Sequence, residues 1–421
     1  MTVISAAIPG PSQTTRSVAP RPRFTTEPLD GSTAERLDRL TEVVEAIRTS
    51  DADAERDRVL QYDAVDAIRR TGVLTLRVPA RYGGPGGSVR DVLTAVIRIA
   101  RGSSNVAQAL RPHYGFAERL LSNRATEAER EEWFARVNTG IIVGNAITDA
   151  KGKTPSGADT TLLADGDGVL RLNGYKFYST GTLFADLIAV SASDAQGRDL
   201  QAIVPVDREG VELFDDWDGF GQRTTASGGT RFTNVEVRPH EVTTVSDGKH
   251  LGHSTAFLQL YLAAVAAGIA GSARDDAIWY VQNKARPAAH SLADTAATDP
   301  FTLQAVGEIA ANASAAEALV LAAADALDEL VDSGRENDPD ELARVAIVVA
   351  EAQLVAERLT LAAAERLFDT GGASATSRVL NLDRHWRNVR TVATHNPLAY
   401  KAHAAGNYAV NAVWPPANGY F

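Results

Sequence analysis

The chain has 421 residues, of which 44% are hydrophobic and 23% charged, enough apolar material for a large globular core in two or three folding units. It contains no cysteine, which excludes disulfides, Cys-ligated zinc, iron–sulfur clusters and thiolate catalysis and favours a reducing, cytoplasmic location. A formal net charge of -11, without runs of Lys and Arg interleaved with aromatic residues, argues against nucleic-acid binding.

No membrane-spanning segment is expected, because no stretch approaches the ~18 to 20 uncharged apolar residues that a bilayer requires. The apolar run 257–270 ends shortly before Arg274 and Asp275. The first residues are rich in Pro, Thr, Ser and Arg and lack the basic and apolar regions of a signal peptide. We predict that residues 1–30 form a mobile tail.

Residues 31–140 show the periodicity of an α-helical domain. Leu37, Leu40, Val44 and Ile47 share one face of a helix that begins near Thr33. A further helix is expected after an N-cap at Ser88. The glycine-rich segment 78–87 before it matches neither a dinucleotide-binding fingerprint nor a P-loop, so it is interpreted as a tight turn between helices.

The apolar period changes to two after residue 140, which indicates a compact antiparallel β domain over residues 141–249. Its expected strands are runs of alternating or apolar residues separated by Gly, Asp and Asn turns: 141–147, 169–178, 186–192, 200–206 and 230–237.

Long helices rich in Ala and Leu are predicted over 254–284, 301–333 and 339–370, followed by a shorter one. Because alanine permits close approach between helices, we expect these segments to form an antiparallel four-helix bundle in residues 250–421.

This order of domains resembles the acyl-CoA dehydrogenase superfamily, and three motifs support the resemblance. Segment 78–84 reads Val-Pro-x-x-Tyr-Gly-Gly, segment 172–181 reads Leu-Asn-Gly-x-Lys-x-x-x-Thr-Gly, and segment 370–373 reads Thr-Gly-Gly-Ala. In that superfamily they correspond to the turn after the second helix, a strand lining the flavin, and a glycine turn touching the cofactor of a neighbouring subunit. The implied fold is α+β and mostly α, with an N-terminal helical domain, a β-barrel and a C-terminal four-helix bundle.

Within the superfamily, the chain is most similar to the reduced-flavin-dependent monooxygenases typified by dibenzothiophene monooxygenase. The similarity is carried by short motifs within segments 144–145, 215–217, 221–228, 285–287, 386–391 and 395–401. It implies a two-component enzyme that takes reduced flavin (FMNH2 or FADH2) and, through a flavin C4a-hydroperoxide, transfers oxygen from O2 to a small heteroaromatic substrate resembling indole, carbazole or thiophene. It also implies a homotetramer. Because no dinucleotide fingerprint follows a strand, we expect a separate NAD(P)H:flavin reductase as partner.

His395 is the principal catalytic candidate. It aligns with the place where related dehydrogenases carry a terminal glutamate, and residues 384–421 contain no Asp or Glu. A neutral imidazole is suited to passing a proton near neutral pH, although the ring could instead merely cap a helix. By the resemblance, Asn145 and Thr180 act on the flavin and its oxygen adduct, and His113 is an alternative proton donor.

The resemblance also implies residues that bind the flavin. The candidates are Asn145, Ser179, Thr180, Trp217, Arg286, Gly371 and Gly372, with Arg223 and Ser227 near the ribityl-phosphate. The expected substrate pocket is aromatic and apolar. Its candidates are Tyr114, Phe116, Phe184, Trp217 and Phe220.

The chain departs from the resembled enzymes at one turn. Those enzymes carry a His and a Tyr four residues apart where this chain has Gln108 and Pro112, with Arg111 beside them. An Arg expected beside the glycine turn is replaced by Ala373. These differences affect the predicted substrate more than the predicted chemistry.

Three other functions remain open at this point: N-hydroxylation of an amine or amino sugar, acyl-CoA dehydrogenation with an unusual base, and a scaffold without catalysis. A metal site is not expected. His250 and His253 have ligand-like spacing, but no Asp or Glu follows closely, so they are interpreted as part of a solvated linker.

Overall fold

The computed structural model describes residues 17–19, 29–122, 125–149, 160–244 and 252–421. The chain forms two compact units. The β unit comprises Met1–Thr26, Ile141–Asp218 and Thr225–Lys249. The helical unit comprises Glu27–Gly140, Gly219–Thr224 and His250–Phe421.

The β unit contains one sheet. Its strands are β1 (Ser17–Val18), β2 (Val143–Ala146), β3 (Thr148–Asp149), β4 (Thr161–Ala164), β5 (Leu170–Phe177), β6 (Leu187–Ser193), β7 (Asp199–Pro205), β8 (Val211–Phe214), β9 (Thr230–Val237) and β10 (Val242–Thr244). The order is β1-β8-β9-β5-β4-β6-β7-β10, and β2 and β3 pair with β6 and β5. Each of the five predicted runs contains a strand: β2, β5, β6, β7 and β9.

The sheet is mixed, which corrects the prediction of an antiparallel domain. β2 pairs in parallel with β6, with Val143 opposite Leu187, and β4 makes a parallel bridge from Thr161 to Ser193. Parallel neighbours require a crossover connection, here the chain between β2 and β6 that includes β5. Periodicity within one strand carries no information about the direction of its partner.

The strands that the sequence did not predict are short. β1, β3, β4, β8 and β10 have two to four residues each, too few to show a period of two. β1 also corrects the expectation that all of residues 1–30 are mobile, because Ser17 pairs with Phe214 and Val18 with Leu213. Residues 1–16 and 20–28 of that expected tail lie outside the described residues.

The helical unit begins with six helices: α1 (Thr33–Asp57), α2 (Tyr62–Thr71), α3 (Val89–Gly102), α4 (Ser104–Ala109), α5 (Arg111–Leu121) and α6 (Glu127–Asn138). Ser88 caps α3 as predicted and forms a capping box with Asp91. The glycine-rich segment before α3 is a turn, as interpreted from the sequence. A Cβ atom at Gly84 would lie 2.1 Å from the Val78 carbonyl oxygen, so the turn requires glycine at this position.

The second part of the helical unit contains α7 (His253–Asn283), α8 (Pro300–Asp332), α9 (Pro339–Arg366), α10 (Arg384–Ala393) and α11 (Leu398–Asn411). Helices α7, α8 and α9 pack against one another. The predicted bounds of α7 and α8 are correct to within one residue, and α9 continues as a short 3-10 helix, Leu367–Thr370.

Two helices, α7 and α8, are long and apolar enough to cross a membrane by length and composition alone. The apolar window of α7 is 94% buried inside the protein, as in the core helix of a globular unit. That of α8 is only 28% buried, so α8 leaves an apolar face exposed.

Candidate active site

A group of hydroxyl and amide side chains lies on the β unit where β2 and β5 end. Thr180 Oγ1 lies 2.9 Å from Ser227 Oγ, which in turn lies 2.7 Å from Thr225 Oγ1. Thr182 Oγ1 donates a hydrogen bond of 3.1 Å to the backbone oxygen of Asn145. We call Asn145, Ser179, Thr180, Thr182, Thr225 and Ser227 the hydroxyl cluster. The structure thus brings together four of the predicted flavin-contacting residues.

Two members of the hydroxyl cluster have a polar atom without a partner. Asn145 Oδ1 and Ser179 Oγ are buried and accept or donate no hydrogen bond among the described residues. A buried polar group without a partner is costly and rare, and it indicates a ligand that completes the bonding. Gly144 allows β2 to approach the turn closely, because a Cβ there would lie 2.9 Å from Thr182 Cα.

An aromatic pair adjoins the hydroxyl cluster along the chain. The ring centroids of Tyr178 and Trp217 are 5.9 Å apart, and the planes meet at 83°. Tyr178 adopts a left-handed conformation with φ of 53°, immediately before Ser179. Phe184 is buried in the 3-10 turn Thr182–Phe184 beside the same cluster. Trp217 and Phe184 therefore stay candidates for contact with flat ligands.

His395 lies on the helical unit, between α10 and α11. Its Nε2 atom is 3.4 Å from Arg111 Nη1. Surrounding protein disfavours the charged ring, the Arg111 cation adds to this effect, and together they lower the pKa of His395 to about 3. The side chain nevertheless keeps an exposed surface. His395 is therefore neutral at physiological pH and accessible.

Arg111 defines the tautomer of His395. A guanidinium has donors and no acceptors, so Arg111 Nη1 donates and His395 Nε2 accepts with its lone pair. The proton of the neutral ring then resides on Nδ1. Arg111 itself is fixed at the start of α5 by a bond of 3.2 Å from Nε to the Leu258 oxygen of α7. Burial lowers the pKa of Arg111 to about 10, which leaves it charged.

The residue after His395 is anchored to α7. Asn396 Nδ2 donates to Gln259 Oε1 at 2.5 Å, and Gln259 Nε2 donates to the Gly419 oxygen at 3.3 Å. Nearby in sequence, the buried Lys401 donates to the Tyr420 oxygen, and its ammonium lies 4.3 Å from the centre of the Phe421 ring. This network was not predicted from the sequence, because Gln259 belongs to no motif and the motif residue Lys401 was assigned no role.

Three predicted site residues lie instead in the core of the helical unit. His113 Nε2 donates to the Leu74 oxygen at 2.8 Å, and burial lowers its pKa to about 4. Tyr114 is fully buried, and its hydroxyl donates to the Val73 oxygen at 3.0 Å. Phe116 packs edge-on against Trp133 at 5.9 Å. These contacts hold the side chains of His113, Tyr114 and Phe116 within the core, and their predicted roles in catalysis and in the pocket stay predictions.

The long motif at residues 386–391 has a structural role. Arg387 pairs with the buried Glu55 of α1 at 2.6 Å, and Asn388 Oδ1 accepts from the Gln222 backbone at 2.7 Å. Arg223 donates to the backbone oxygens of Glu55 and Arg56, and its predicted contact with the ribityl-phosphate stays a prediction.

Phe220 belongs to the helical unit, where its ring is 55% exposed and stacks on Trp386 at a centroid distance of 6.0 Å. It stays a candidate for the pocket, because an exposed ring already held by one aromatic partner can receive a second.

The predicted phosphate and glycine-turn residues have distinct settings. Arg286 is exposed and makes no ion pair with the described residues, so its guanidinium is available to a phosphate. Gly371 packs against Tyr280, where a Cβ would lie 2.0 Å from a ring carbon. Gly372 has φ of 57° and open space beside it. Their roles toward a flavin stay predictions.

His253 is part of a buried ion network, which corrects its interpretation as a solvated linker. Its Nε2 lies 2.8 Å from Glu118 Oε2, and the same carboxylate pairs with Arg77. His250 lies outside the described residues. Within the described ranges, no group of three or more His, Cys, Asp or Glu side chains could hold a metal ion.

Comparisons with known proteins agree with this arrangement. The model of the acyl-CoA dehydrogenase N-terminal domain matches residues 38–141, and the model of the C-terminal domain matches residues 260–400. A probable FMNH2-dependent monooxygenase, SfnC of Pseudomonas putida, is 31% identical over 357 residues, covering 82% of this chain and 87% of the relative.

Two groups of solved structures have the same fold over nearly the whole chain. Dibenzothiophene monooxygenase TdsC from Paenibacillus sp. A11-2, solved with FMN and indole, is 30% identical with a TM-score of 0.82, covering 92% of this chain and 100% of that one. Methanesulfinate monooxygenase MsuC from Pseudomonas fluorescens is 29% identical with a TM-score of 0.81, covering 91% and 99%. The chain belongs to the acyl-CoA dehydrogenase family, in its branch of flavin-dependent monooxygenases. The resemblance inferred from the sequence is confirmed.

The hydroxyl cluster fits a flavin. The edge of the isoalloxazine ring alternates hydrogen-bond donors and acceptors, and Asn145 Oδ1 and Ser179 Oγ are an acceptor and a hydroxyl without partners among the described residues. Thr180 adds a hydroxyl group, whose hydrogen-bond partner Ser227 also contacts Thr225. The side chains of the hydroxyl cluster thus match the hydrogen-bonding groups of a flavin ring.

Proposed function

We propose that this chain is the oxygenase component of a two-component flavin-dependent monooxygenase acting on a small aromatic compound. A separate NAD(P)H:flavin reductase supplies reduced flavin. FMNH2 is the form supported by similarity to SfnC, described as FMNH2-dependent, and to TdsC, solved with FMN. Reduced flavin, when bound, supplies two electrons to O2, so that one oxygen atom reaches the substrate and the other leaves as water.

The observation that carries the proposal is the pair formed by His395 and Arg111. Removal of an α-proton from an acyl thioester needs a carboxylate base, whereas this chain holds a neutral imidazole against a guanidinium. Residues 384–421 contain no Asp or Glu. The arrangement therefore supports oxygenation over acyl-CoA dehydrogenation, and an accessible His395 supports an active enzyme over a scaffold.

The proposed role of His395 is to hold and pass a proton at Nδ1. Arg111 occupies the Nε2 lone pair, so the ring presents an N–H from the other side. A neutral ring with a pKa lowered to about 3 does not carry an extra proton at pH 7, and it therefore acts as a relay rather than as a charged acid.

The proposed role of the hydroxyl cluster is to bind and orient the flavin ring. Asn145 and Ser179 would complete their hydrogen bonding with it, and Thr180 would contact the reactive edge, as the family resemblance implies. Arg286 is the proposed partner of the phosphate, and Gly371 and Gly372 the proposed glycine turn. Trp217, Phe184 and Phe220 are the proposed aromatic contacts of the substrate.

Several finer features belong to the same proposal. A homotetramer is supported by the apolar face that α8 leaves exposed. We propose that the β unit closes as the barrel, and α7 to α9 with a shorter helix form the four-helix bundle, expected in this family. The proposal also includes a cytoplasmic location and four segments. These are a tail (1–30), an N-terminal helical domain (31–140), a β-barrel domain (141–249) and a C-terminal four-helix bundle (250–421).

The test is an assay of the purified chain with a generic FMN reductase, NADH, O2 and indole. The proposal expects a hydroxylated indole product that requires both proteins, and no rapid NADH oxidation by the chain alone. Reductase without the chain is the control. NADH oxidation by the chain alone would contradict the two-component assignment, and failure to form oxygenated product from indole or from other small aromatics would contradict the proposed activity.

A further inference from the structure

Arg111 has more donors than the protein uses. Its guanidinium carries five N–H groups. One donates to the Leu258 oxygen and one to His395 Nε2, and no other partner exists among the described residues. Three N–H groups are thus left without a partner among the described residues. The side chain is only partly exposed, and its Nε and Nη1 atoms are both held by hydrogen bonds.

Arg111 also has no counter-charge. No Asp or Glu side chain of the described chain lies within 4.0 Å of its guanidinium. The buried Arg77 and Arg384 of the helical unit pair with Glu118 and Asp276, and the buried Arg36 instead donates to backbone oxygens and to Thr75. His395 is neutral and cannot balance the charge. A partly buried cation held in place without an anion is the arrangement that a negatively charged ligand completes.

The surrounding turn supports a polar ligand at the same place. Gln108, three residues earlier, is 7% exposed, and its Oε1 atom is buried without a partner among the described residues. Gln108 thus adds an unused acceptor to the turn that begins the helix of Arg111.

We propose that Arg111 is a specificity-determining residue that binds a two-oxygen anionic head group, a carboxylate or a sulfinate, of the substrate. The inference rests on the proposed monooxygenase function and deepens it. The substrate is a small organic acid anion, and it is aromatic when its head group is attached to an aromatic ring. The planar fork of a guanidinium matches such a head group through two parallel N–H···O bonds. Similarity to MsuC, a methanesulfinate monooxygenase, supports an anionic substrate.

The reaction balances for a sulfinate. One oxygen atom of O2 forms a new S–O bond and gives the sulfonate, and the other leaves as water with two electrons and two hydrogens from reduced flavin. Arg111 takes no part in bond making, since it holds the head group through its N–H donors. The head group carries the same negative charge in the sulfinate substrate as in the sulfonate product.

The first arm of the test measures binding without turnover. Calorimetric titration of the flavin-free protein with benzenesulfinate and with benzoate, compared with neutral methyl phenyl sulfone, reports recognition of the anion alone. We expect both anions to bind, and Arg111→Gln to weaken their binding by ~10- to 100-fold, the range for hydrogen bonds to charged groups. Arg335→Gln, which removes a surface charge, is the matched control and should leave binding unchanged. Equal binding of anions to wild type and Arg111→Gln would overturn the proposal.

The second arm measures turnover of benzenesulfinate and indole with a generic FMN reductase. An effect of Arg111→Gln through His395 lowers kcat for both substrates alike, whereas recognition of the anion raises KM for benzenesulfinate alone. We expect the ratio of kcat/KM for benzenesulfinate to that for indole to fall by ~10- to 100-fold, with partial recovery in Arg111→Lys. An unchanged ratio would refute the specificity role. Oxygenation of neither substrate, with anion binding intact, would contradict the proposed function and not the Arg111 site.

Discussion

The side-chain amide of Asn396 donates to Gln259 Oε1, and this bond joins the residue after His395 to the N-terminal part of the buried helix α7. Gln259 is 2% exposed and Asn396 3% exposed, so both amides depend on each other for hydrogen bonding. The loop that presents His395 is thereby fixed to a helix that lies in the core of the helical unit.

Gln259→Leu should destabilise the protein, because it leaves Asn396 Nδ2 buried without its acceptor. The expected loss in the free energy of unfolding is ~1 to 3 kcal/mol, measured by urea denaturation. Gln304→Leu is the control, because Gln304 is exposed and pairs with Glu308 within α8. Its effect should stay within ~0.5 kcal/mol. Equal effects of the two substitutions would show that the Gln259 bond does not anchor the loop.

Glu118→Gln should be strongly destabilising, because the buried carboxylate of Glu118 pairs with both Arg77 and His253. We expect a loss of ~3 to 5 kcal/mol at neutral pH. The charge of Arg77 and the hydrogen bonds from Arg77 and His253 outweigh burial and lower the pKa of Glu118 to about 2.

The stabilisation by Glu118 is therefore present above the ordinary glutamate pKa and is lost as pH falls through about 2. As the pH falls from the ordinary glutamate pKa to about 2, the wild type should lose stability more steeply than Glu118→Gln. Parallel pH profiles of the two proteins in denaturation experiments would contradict the buried ion network.

Glu357→Gln should stabilise the protein at pH 8 and have little effect at pH 5. Burial raises the pKa of Glu357 to about 7, so the folded state holds its proton at pH 5 and bears a buried charge at pH 8. Gln353 Nε2, which donates to Glu357 Oε1 at 3.0 Å, keeps an acceptor in the variant.

The expected gain at pH 8 is of order 1 to 3 kcal/mol, roughly 1.4 kcal/mol for each unit of the pKa shift. Urea midpoints measured at both pH values test it. A gain that is the same at pH 5 and pH 8 would show that ionisation of Glu357 is not its cause.

Asn145→Ala should weaken binding of reduced FMN by ~10-fold while leaving stability without ligand nearly unchanged. The reason is that Asn145 Oδ1 has no partner among the described residues, so its removal costs the free protein little. Flavin titration and thermal unfolding measure the two effects. Asn411→Ala, on the exposed end of α11, is the control for flavin binding. Loss of stability with unaltered flavin affinity would assign Asn145 to the fold instead of the cofactor.

Local chemistry made much of the fold predictable. The N-cap at Ser88 and the ends of α7 and α8 followed from caps and apolar periodicity, which are encoded within one element. The parallel pairing of β2 with β6 could not be predicted in this way, because it depends on which strand, distant in sequence, lies beside β2. The short strands β1, β3, β4, β8 and β10 lie outside the predicted runs, because two to four residues carry little pattern.

The candidate site was predictable to a smaller extent. His395 and the hydroxyl cluster follow from motifs, and the structure finds Asn145 and Ser179 with unused hydrogen-bonding atoms. The burial of His113 and Tyr114 was not predictable, because a polar residue on a helix points to the core or to the surface depending on tertiary packing. Arg387 illustrates the reverse case, in which a motif residue holds helices together.

The central claim, that His395 passes the proton required for oxygen transfer, is tested most directly by the ratio of oxygenated product to hydrogen peroxide in His395→Asn. We predict that product formation falls by roughly 10² to 10⁴, while flavin affinity is retained and O2 is still consumed, with hydrogen peroxide released in place of product. His403→Asn, exposed on α11, is the matched control and should behave as wild type. A wild-type ratio in His395→Asn would contradict the account and leave His395 with the role of capping a helix.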